Sequence, residues 1–179
     1  SSPVGLAHAF LPAVITRFLE LHPQVQLEMI LVNRRVDLIN EGIDVALRVR
    51  DVGDEDPALV TRRLNRAQMQ LVASPDFVRQ HPVKHPSELA ALPVLGAAEA
   101  DRLVHLRLLN ADGQAEDLAL EARLSIDDFV VRKAAALAGL GFTALPLLHC
   151  ETELANGELV HLLPDWSMPS GFLQAVYPH

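Results

Sequence analysis

Val25-Gln26-Leu27-Glu28-Met29-Ile30-Leu31-Val32-Asn33-Arg34-Arg35-Val36-Asp37-Leu38-Ile39-Asn40-Glu41-Gly42-Ile43-Asp44-Val45-Ala46-Leu47-Arg48-Val49 is the stretch on which the fold is read. Val25, Leu27, Met29 and Leu31 alternate with Gln26 and Glu28, and both faces turn apolar at Ile30 and Val32. That pattern predicts a strand buried on both sides, as in a parallel sheet covered by helices. Arg34 to Glu41, with Val36, Leu38 and Ile39 apolar, predicts a short helix that Gly42 ends as a C-cap. Ile43, Val45, Leu47 and Val49 share one face of a second strand. Strand, helix and strand within about 25 residues predict a compact βαβ unit, slightly under the usual ~30.

The pattern continues on both sides. Upstream, Leu11, Val14, Ile15 and Phe18 recur at helical spacing, so a helix is expected from about His8 to His22, with Pro12 in its first turn and Pro23 beyond its end. Downstream, 51–57 reads as an acidic surface loop, and Leu59–Leu64 and Met69–Ala73 as strands. Ser74 and Pro75 read as N-cap and first residue of a helix to about Gln80. Residues 81–93 are rich in proline, with a helical turn at Ser87–Ala91, and look like a junction into a second lobe. Leu103–Leu109 and Leu118–Leu124 read as a hairpin turning at Asn110-Ala111-Asp112-Gly113. Ile126 to Gly139 reads as a second strong helix, capped by Asp127 and burying Val130, Ala134, Leu137 and Ala138. Strands are expected at Phe142–Leu145, Glu158–Leu163 and Phe172–Tyr177, and a short helix ending at Asn156-Gly157. Helices alternating with strands give an α/β architecture, compatible with one doubly wound sheet or with two lobes.

Composition narrows the function. The 179 residues are half hydrophobic, enough for one core or two small lobes, and no run reaches the length of a membrane-spanning helix. Ser1 to Leu6 does not read as a signal peptide. A single cysteine, Cys150, excludes an internal disulfide framework. A net charge of −8 makes the chain a poor partner for polyanionic DNA by itself. Arginine supplies nearly all the cations, Lys84 and Lys133 being the exceptions; this suits a bidentate grip on carboxylates, and a GC-rich coding bias explains it equally.

Catalytic chemistry is not found. His81 and His85 are spaced for one helix face, but Pro82 and Pro86 break that helix, so no metal site is expected. Nucleophile elbows and phosphate-cradling glycine loops are missing. Gly139-Leu140-Gly141 follows a helix and reads as its stop. Cys150 has only His149 as a basic neighbour and reads as inert. Asp127 and Asp128 are adjacent, point apart and read as helix caps. No cofactor and no enzymatic activity are expected. What is left is a set of N–H donors at helix starts near Ala7, Arg34 and Asp128, a generic anion signal.

Longer motifs are more specific. Pro3-Val4-Gly5-Leu6 with Leu11-Pro12, Phe18-Leu19 and His22-Pro23, then Val36 through Arg48, then Leu71-Val72-Ala73-Ser74-Pro75-Asp76-Phe77, resemble in order the effector-binding domain of LysR-type transcriptional regulators. So do Ala134 through Phe142 with Leu145-Pro146, Gly157-Glu158-Leu159-Val160, and Leu163-Pro164-Asp165-Trp166. The resemblance implies two Rossmann-like α/β lobes joined by two crossover strands, of the type II periplasmic-binding-protein kind. Lobe I would hold 1–73 and 171–179, and lobe II 74–170. The family's N-terminal winged helix-turn-helix and its final helix have no counterpart here, so a fragment of a longer regulator is expected.

The same resemblance implies a site in the cleft between lobes. Pro3, Val4, Gly5, Leu6, Asn33, Arg34, Arg48 and Val49 would line it from lobe I, and Gly96, Ala97, Ile126, Asp127 and Phe129 from lobe II. The expected effector is a small organic anion, a carboxylate, held by Arg34 and Arg48 against Phe129; an ion pair of Arg48 with Asp44 or Glu41 is the competing reading. Pairing into a homodimer or homotetramer is expected through roughly 8–31 against 129–150. The outer face His8, Thr16, Arg17 and Glu20 is polar enough for a solvated surface as well. DNA contact is expected only through the missing domain, in the cytoplasm and without membrane contact. Hinges would lie near Leu71–Ser74 and Ser170–Leu173, where Gly171 fits either a hinge or a plain turn. A periplasmic solute-binding protein of a transporter is the rival class on the same architecture.

Overall fold

The computed structural model describes residues 1–50 and 58–179; the acidic stretch 51–57 lies outside the described residues. In chain order the elements are α1 (Val4–Ala9), α2 (Leu11–Leu21), β1 (Ala46–Arg50), β2 (Leu59–Ala67), β3 (Met69–Ala73), α3 (Pro75–Gln80), a 3-10 turn (Pro86–Ala91), β4 (Val94–Gly96), β5 (Leu103–Leu109), β6 (Ala115–Ser125), α4 (Phe129–Leu137), β7 (Phe142–Pro146), α5 (Leu147–Asn156), β8 (Val160–His161) and β9 (Gly171–Pro178). The chain is α/β and divides into two compact units, Ser1–Ala67 with Gly171–His179, and Gln68–Ser170. The change of unit falls at Ala67/Gln68, ahead of the expected Ala73/Ser74, because β3 is hydrogen-bonded to β7 and β8 of the second unit.

The first unit carries a three-stranded antiparallel sheet in the order β1-β9-β2. Its core is small: Val36, Leu38, Ile43, Ala46 and Val176. Three sequence expectations fail in this unit. The strand expected over Val25–Val32 is reduced to one parallel bridge between Ser2 and Leu31. There the Ser2 N–H donates to the Ile30 carbonyl and the Val32 N–H to the Ser2 carbonyl, both at 3.0 Å. Alternation alone makes no strand; a strand exists through a ladder, and Ser2 supplies only one rung.

The helix expected over Arg34–Glu41 is a single turn. The Asp37 carboxylate accepts from the Asn40 N–H at 3.1 Å, which favours a local turn over a continuing helix. Gly42, at φ +65°, then closes it. Ile43 N–H donates to Leu38 O at 2.8 Å and Gly42 N–H to Ile39 O at 3.4 Å, the bond pair of a Schellman cap. Gly42 is thus a C-cap as expected, on a much shorter element. The second strand starts only at Ala46, so no βαβ unit forms. Upstream, the single expected helix is two, broken at Phe10, with Pro12 in the first turn of α2 and His22 as C-cap ahead of Pro23.

The second unit holds a six-stranded mixed sheet in the order β5-β6-β4-β7-β3-β8. β4 runs parallel to β6 and β7, and the other pairings are antiparallel. Leu89, Leu95, Leu108, Phe142, Leu145 and Leu159 are fully buried in it. Local chemistry agrees with the elements here. The Ser74 hydroxyl accepts from Phe77 N–H at 3.3 Å and caps α3, with Pro75 behind it. The β5–β6 hairpin turns at Gly113, whose N–H reaches Asn110 O at 3.1 Å. The expected strand Glu158–Leu163 is only Val160–His161.

The second long helix differs from expectation in two ways. α4 is capped by Asp128, whose carboxylate accepts from Val131 N–H at 2.9 Å, and not by Asp127. Its buried face is Arg132 and Ala136, one turn apart, whereas Val130 and Leu137 stand exposed. Small alanines let this side of the helix lie close to the sheet, and the bulkier apolar residues are turned outward.

Candidate functional site

In the first unit, residues 1–3, 32–36 and 47–50 enclose a cavity of about 110 Å³. The turn after Val32 brings Arg34 and Arg35 to one side, and β1 brings Arg48 and Arg50, which share a strand face at i, i+2. Among the described residues, four arginines line this cavity: Arg34, Arg35, Arg48 and Arg50. Asn33 ties the wall together: its side-chain oxygen accepts from the Val4 N–H at 3.1 Å at the start of α1. Arg48 donates through Nη2 to Val36 O at 3.0 Å, which aims its guanidinium along the loop.

Arg34 is differently engaged. It forks onto Glu41, with Nη1 to Oε1 at 2.9 Å and Nη2 to Oε2 at 2.7 Å. The hydrogen bond from Arg34, helped by the Asp37 N–H, pushes the Glu41 carboxyl down to about 2. Glu41 is therefore Arg34's partner, and the charge expected of Arg34 is already balanced by it.

Of the residues expected from the first unit, Pro3, Asn33, Arg34, Arg48 and Val49 line the cavity. Val4 joins it through its N–H on Asn33, while Gly5 and Leu6 continue into α1 and are not part of its lining. Arg35 and Arg50 were missed. The i, i+2 repeat of arginine along β1 was the available signal for Arg50; Arg35 carried none, since the stretch around it reads as helix.

In the second unit, Gly96 ends β4 and its carbonyl accepts from Ile126 N–H at 2.8 Å, so Gly96, Ala97 and Ile126 are neighbours at one end of the sheet. A Cβ on Gly96 would lie 2.7 Å from a methyl of Val104, so glycine here serves packing against β5. Asp127 and Phe129 follow on the approach to α4. The Phe129 ring stacks at 5.1 Å from His149 and takes the Arg132 guanidinium 4.5 Å from its centroid. Arg132 is 6% exposed, an unusual place for a charge. Burial pushes its guanidinium below the ordinary arginine value, and the fields of Asp127 and Asp128 pull it back up. Sequence reading passed over Arg132 because it put the buried face of the helix elsewhere.

Cys150 is fully buried, its thiol donating to Pro146 O at 3.5 Å, and burial pushes it up to about 11. A thiolate is disfavoured there. Among the described residues no group of His, Cys, Asp and Glu is placed to hold a metal ion, and no helix is long and apolar enough to cross a membrane.

The chain is thus α/β, in two units, with an arginine-lined cavity in the first. The whole chain, residues 1–179, matches the LysR substrate binding domain family, and it belongs to that family. It is similar to the HTH-type transcriptional regulator DmlR of Escherichia coli K12, at 30% identity over 178 residues, covering 98% of this chain and 57% of that protein. The HTH-type transcriptional regulator PtxR of Pseudomonas aeruginosa is 28% identical over 186 residues, covering 99% of this chain and 56% of that protein. Among solved structures, the regulatory domain of AphB from Vibrio vulnificus superposes with a TM-score of 0.88 at 26% identity, over 99% of this chain and 88% of that one. The full-length Vibrio cholerae virulence activator AphB gives 0.87 at 26% identity, over 99% of this chain and 60% of that one. The chain thus spans a little over half the length of these regulators. It is an effector-binding domain of the LysR type.

Proposed function

We propose that this chain senses a small organic anion, a carboxylate, on behalf of a LysR-type transcriptional regulator. The observation that carries the reading is the cavity of the first unit, where the described lining brings together Arg34, Arg35, Arg48 and Arg50. Guanidinium–carboxylate hydrogen bonds are charge-assisted and directional, so such walls select an anion over its neutral analogue. Arg48, whose Nη2 donates to Val36 O, is the residue we assign to the effector's carboxylate on the family resemblance, and Asn33 and the Ser2–Pro3 backbone shape the rest. Gly96, Ala97, Ile126, Asp127 and Phe129 are carried as the second unit's contribution on the family resemblance.

The effector would act by binding one arrangement of the chain more tightly than another, since a ligand shifts an equilibrium only by its differential affinity. A coupling of about 1–3 kcal/mol changes occupancy of a regulatory site several-fold or more. DNA contact would belong to a separate segment of the regulator, in keeping with the −8 charge of this chain. The regulator would work in the cytoplasm as a homo-oligomer.

Thermal-shift screening of carboxylates beside their amides, on the wild-type chain and on Arg48→Ala, tests the reading. Carboxylates raise the melting temperature, amides do not, and Arg48→Ala abolishes the rise. A neutral compound that stabilises best, with Arg48→Ala unaffected, contradicts it.

A further inference from the structure

Arg132 has a position that the fold alone does not explain. It lies in the first turn and a half of α4, 6% exposed, on the face pressed toward the sheet. The ring of Phe129 covers its guanidinium on one side at 4.5 Å. Its Nε is wholly buried with no hydrogen-bond partner among the described residues. Asp128 caps the Val131 N–H, and the fields of Asp127 and Asp128 act on Arg132. Lys133, the next residue, is satisfied by Glu153, at 2.5 Å. A guanidinium carries five donors. Taking one of them out of water with no acceptor is costly, and a hydrophobic residue of the same length would normally be the more stable choice.

We propose that Arg132 is an anion-binding residue of the second unit, one that takes a carboxylate group of the effector on its guanidinium with the Phe129 ring beside it. This deepens the anion-sensing reading above and rests on it. Nothing on the family resemblance pointed to Arg132; the geometry does, since burial and desolvated donors make a receptor that an oxyanion completes and a neutral amide does not. The effector class sharpens accordingly. A ligand with an aromatic or apolar body next to its carboxylate suits a guanidinium already stacked on Phe129.

The test is a titration of the chain with sodium benzoate, with benzamide as the neutral control, followed by NMR of the arginine Nε–H signals. Benzoate is expected to shift the Arg132 signal saturably, and benzamide to leave it in place. Arg132→Met is expected to melt at the same temperature as wild type or higher, because a desolvated charge is gone, and to bind benzoate about 30-fold or more weakly. Arg132→Lys, which keeps the charge but loses the fork, should fall between. An Arg132 signal that does not move with benzoate overturns the proposal. So does an Arg132→Met chain that melts lower yet binds as wild type, the mark of a structural residue. If Arg48→Ala abolishes binding and Arg132→Met does not, the first-unit reading stands and this proposal falls; the opposite pattern keeps Arg132 and removes the first-unit assignment.

Discussion

The two units use the same amphipathic signals to different ends. In the second, apolar positions close on one sheet, and Leu89, Phe142, Leu145 and Leu159 are all fully buried. In the first, the apolar stripe of α2 and of 25–31 stays largely outside: Val14 is 52% exposed, Phe18 40%, Leu21 66% and Leu27 42%. The difference teaches that periodicity marks a face to be covered, while the covering group is a separate matter. The second unit covers its sheet within itself, while Val130 and Leu137 of α4 stay exposed. The first leaves Val14, Phe18 and Leu27 exposed, and large exposed apolar side chains of this kind are candidates for an interaction surface. A second copy of the chain is the expected cover.

The comparison is sharpened most by one truncation made in both units. Leu145→Ala and Leu38→Ala remove the same atoms, and Leu→Ala costs range from about 2 to 5 kcal/mol with how well the site collapses. Leu145, packed with Val72, Leu95 and Leu159, is expected near the top, at about 4–5 kcal/mol. Leu38, in the five-residue cluster of the first unit, is expected near the bottom, at about 2–3 kcal/mol. Equal losses in chemical denaturation would remove the contrast. The exposed stripe is tested next. Phe18→Asp is expected to convert self-associating chain to monomer in sedimentation velocity without lowering the melting temperature; a wild-type chain that is monomeric at high concentration would leave the stripe without its cover.

A smaller effect separates the two aspartates before α4. Asp128→Ala should cost about 0.5–2 kcal/mol as a lost N-cap, and the exposed Asp127→Ala within about 0.5 kcal/mol. The reverse order would restore Asp127 as the cap. Smallest is the pH effect at Arg34–Glu41. The Glu41 carboxyl is held at about 2, below its ordinary 4.5, so its contribution to stability is present above pH 4.5 and fades as pH falls toward 2. Both partners are solvent-facing, so the effect is small. The stability gap between wild type and Glu41→Gln should be constant at neutral pH and close through that acidic window; a gap that widens there would mean the ion pair is not its source.

What was legible in the sequence follows the same division. Met69–Ala73, Pro75–Gln80 and Leu103–Leu109 read correctly because cap, proline and turn chemistry agree locally with the fold. Val25–Val32 did not, because its strand pattern needed a neighbouring ladder and found only Ser2. Arg34–Glu41 did not, because Asp37 and Asn40 bonded to each other and to the backbone in place of a helix. The arginines at 34 and 48 were singled out through resemblance, and both line the first-unit cavity. The engagement of Arg34 by Glu41 and the burial of Arg132 depend on contacts that spacing does not encode.

The most direct measurement is a crystal structure of this chain with the carboxylate that most raises its melting temperature. The account predicts carboxylate oxygens within hydrogen-bonding distance of the Arg48 guanidinium, in the cavity formed by residues 1–3, 32–36 and 47–50. A ligand that makes no contact with Arg48, with its carboxylate in solvent or its neutral end facing the arginines, would contradict it.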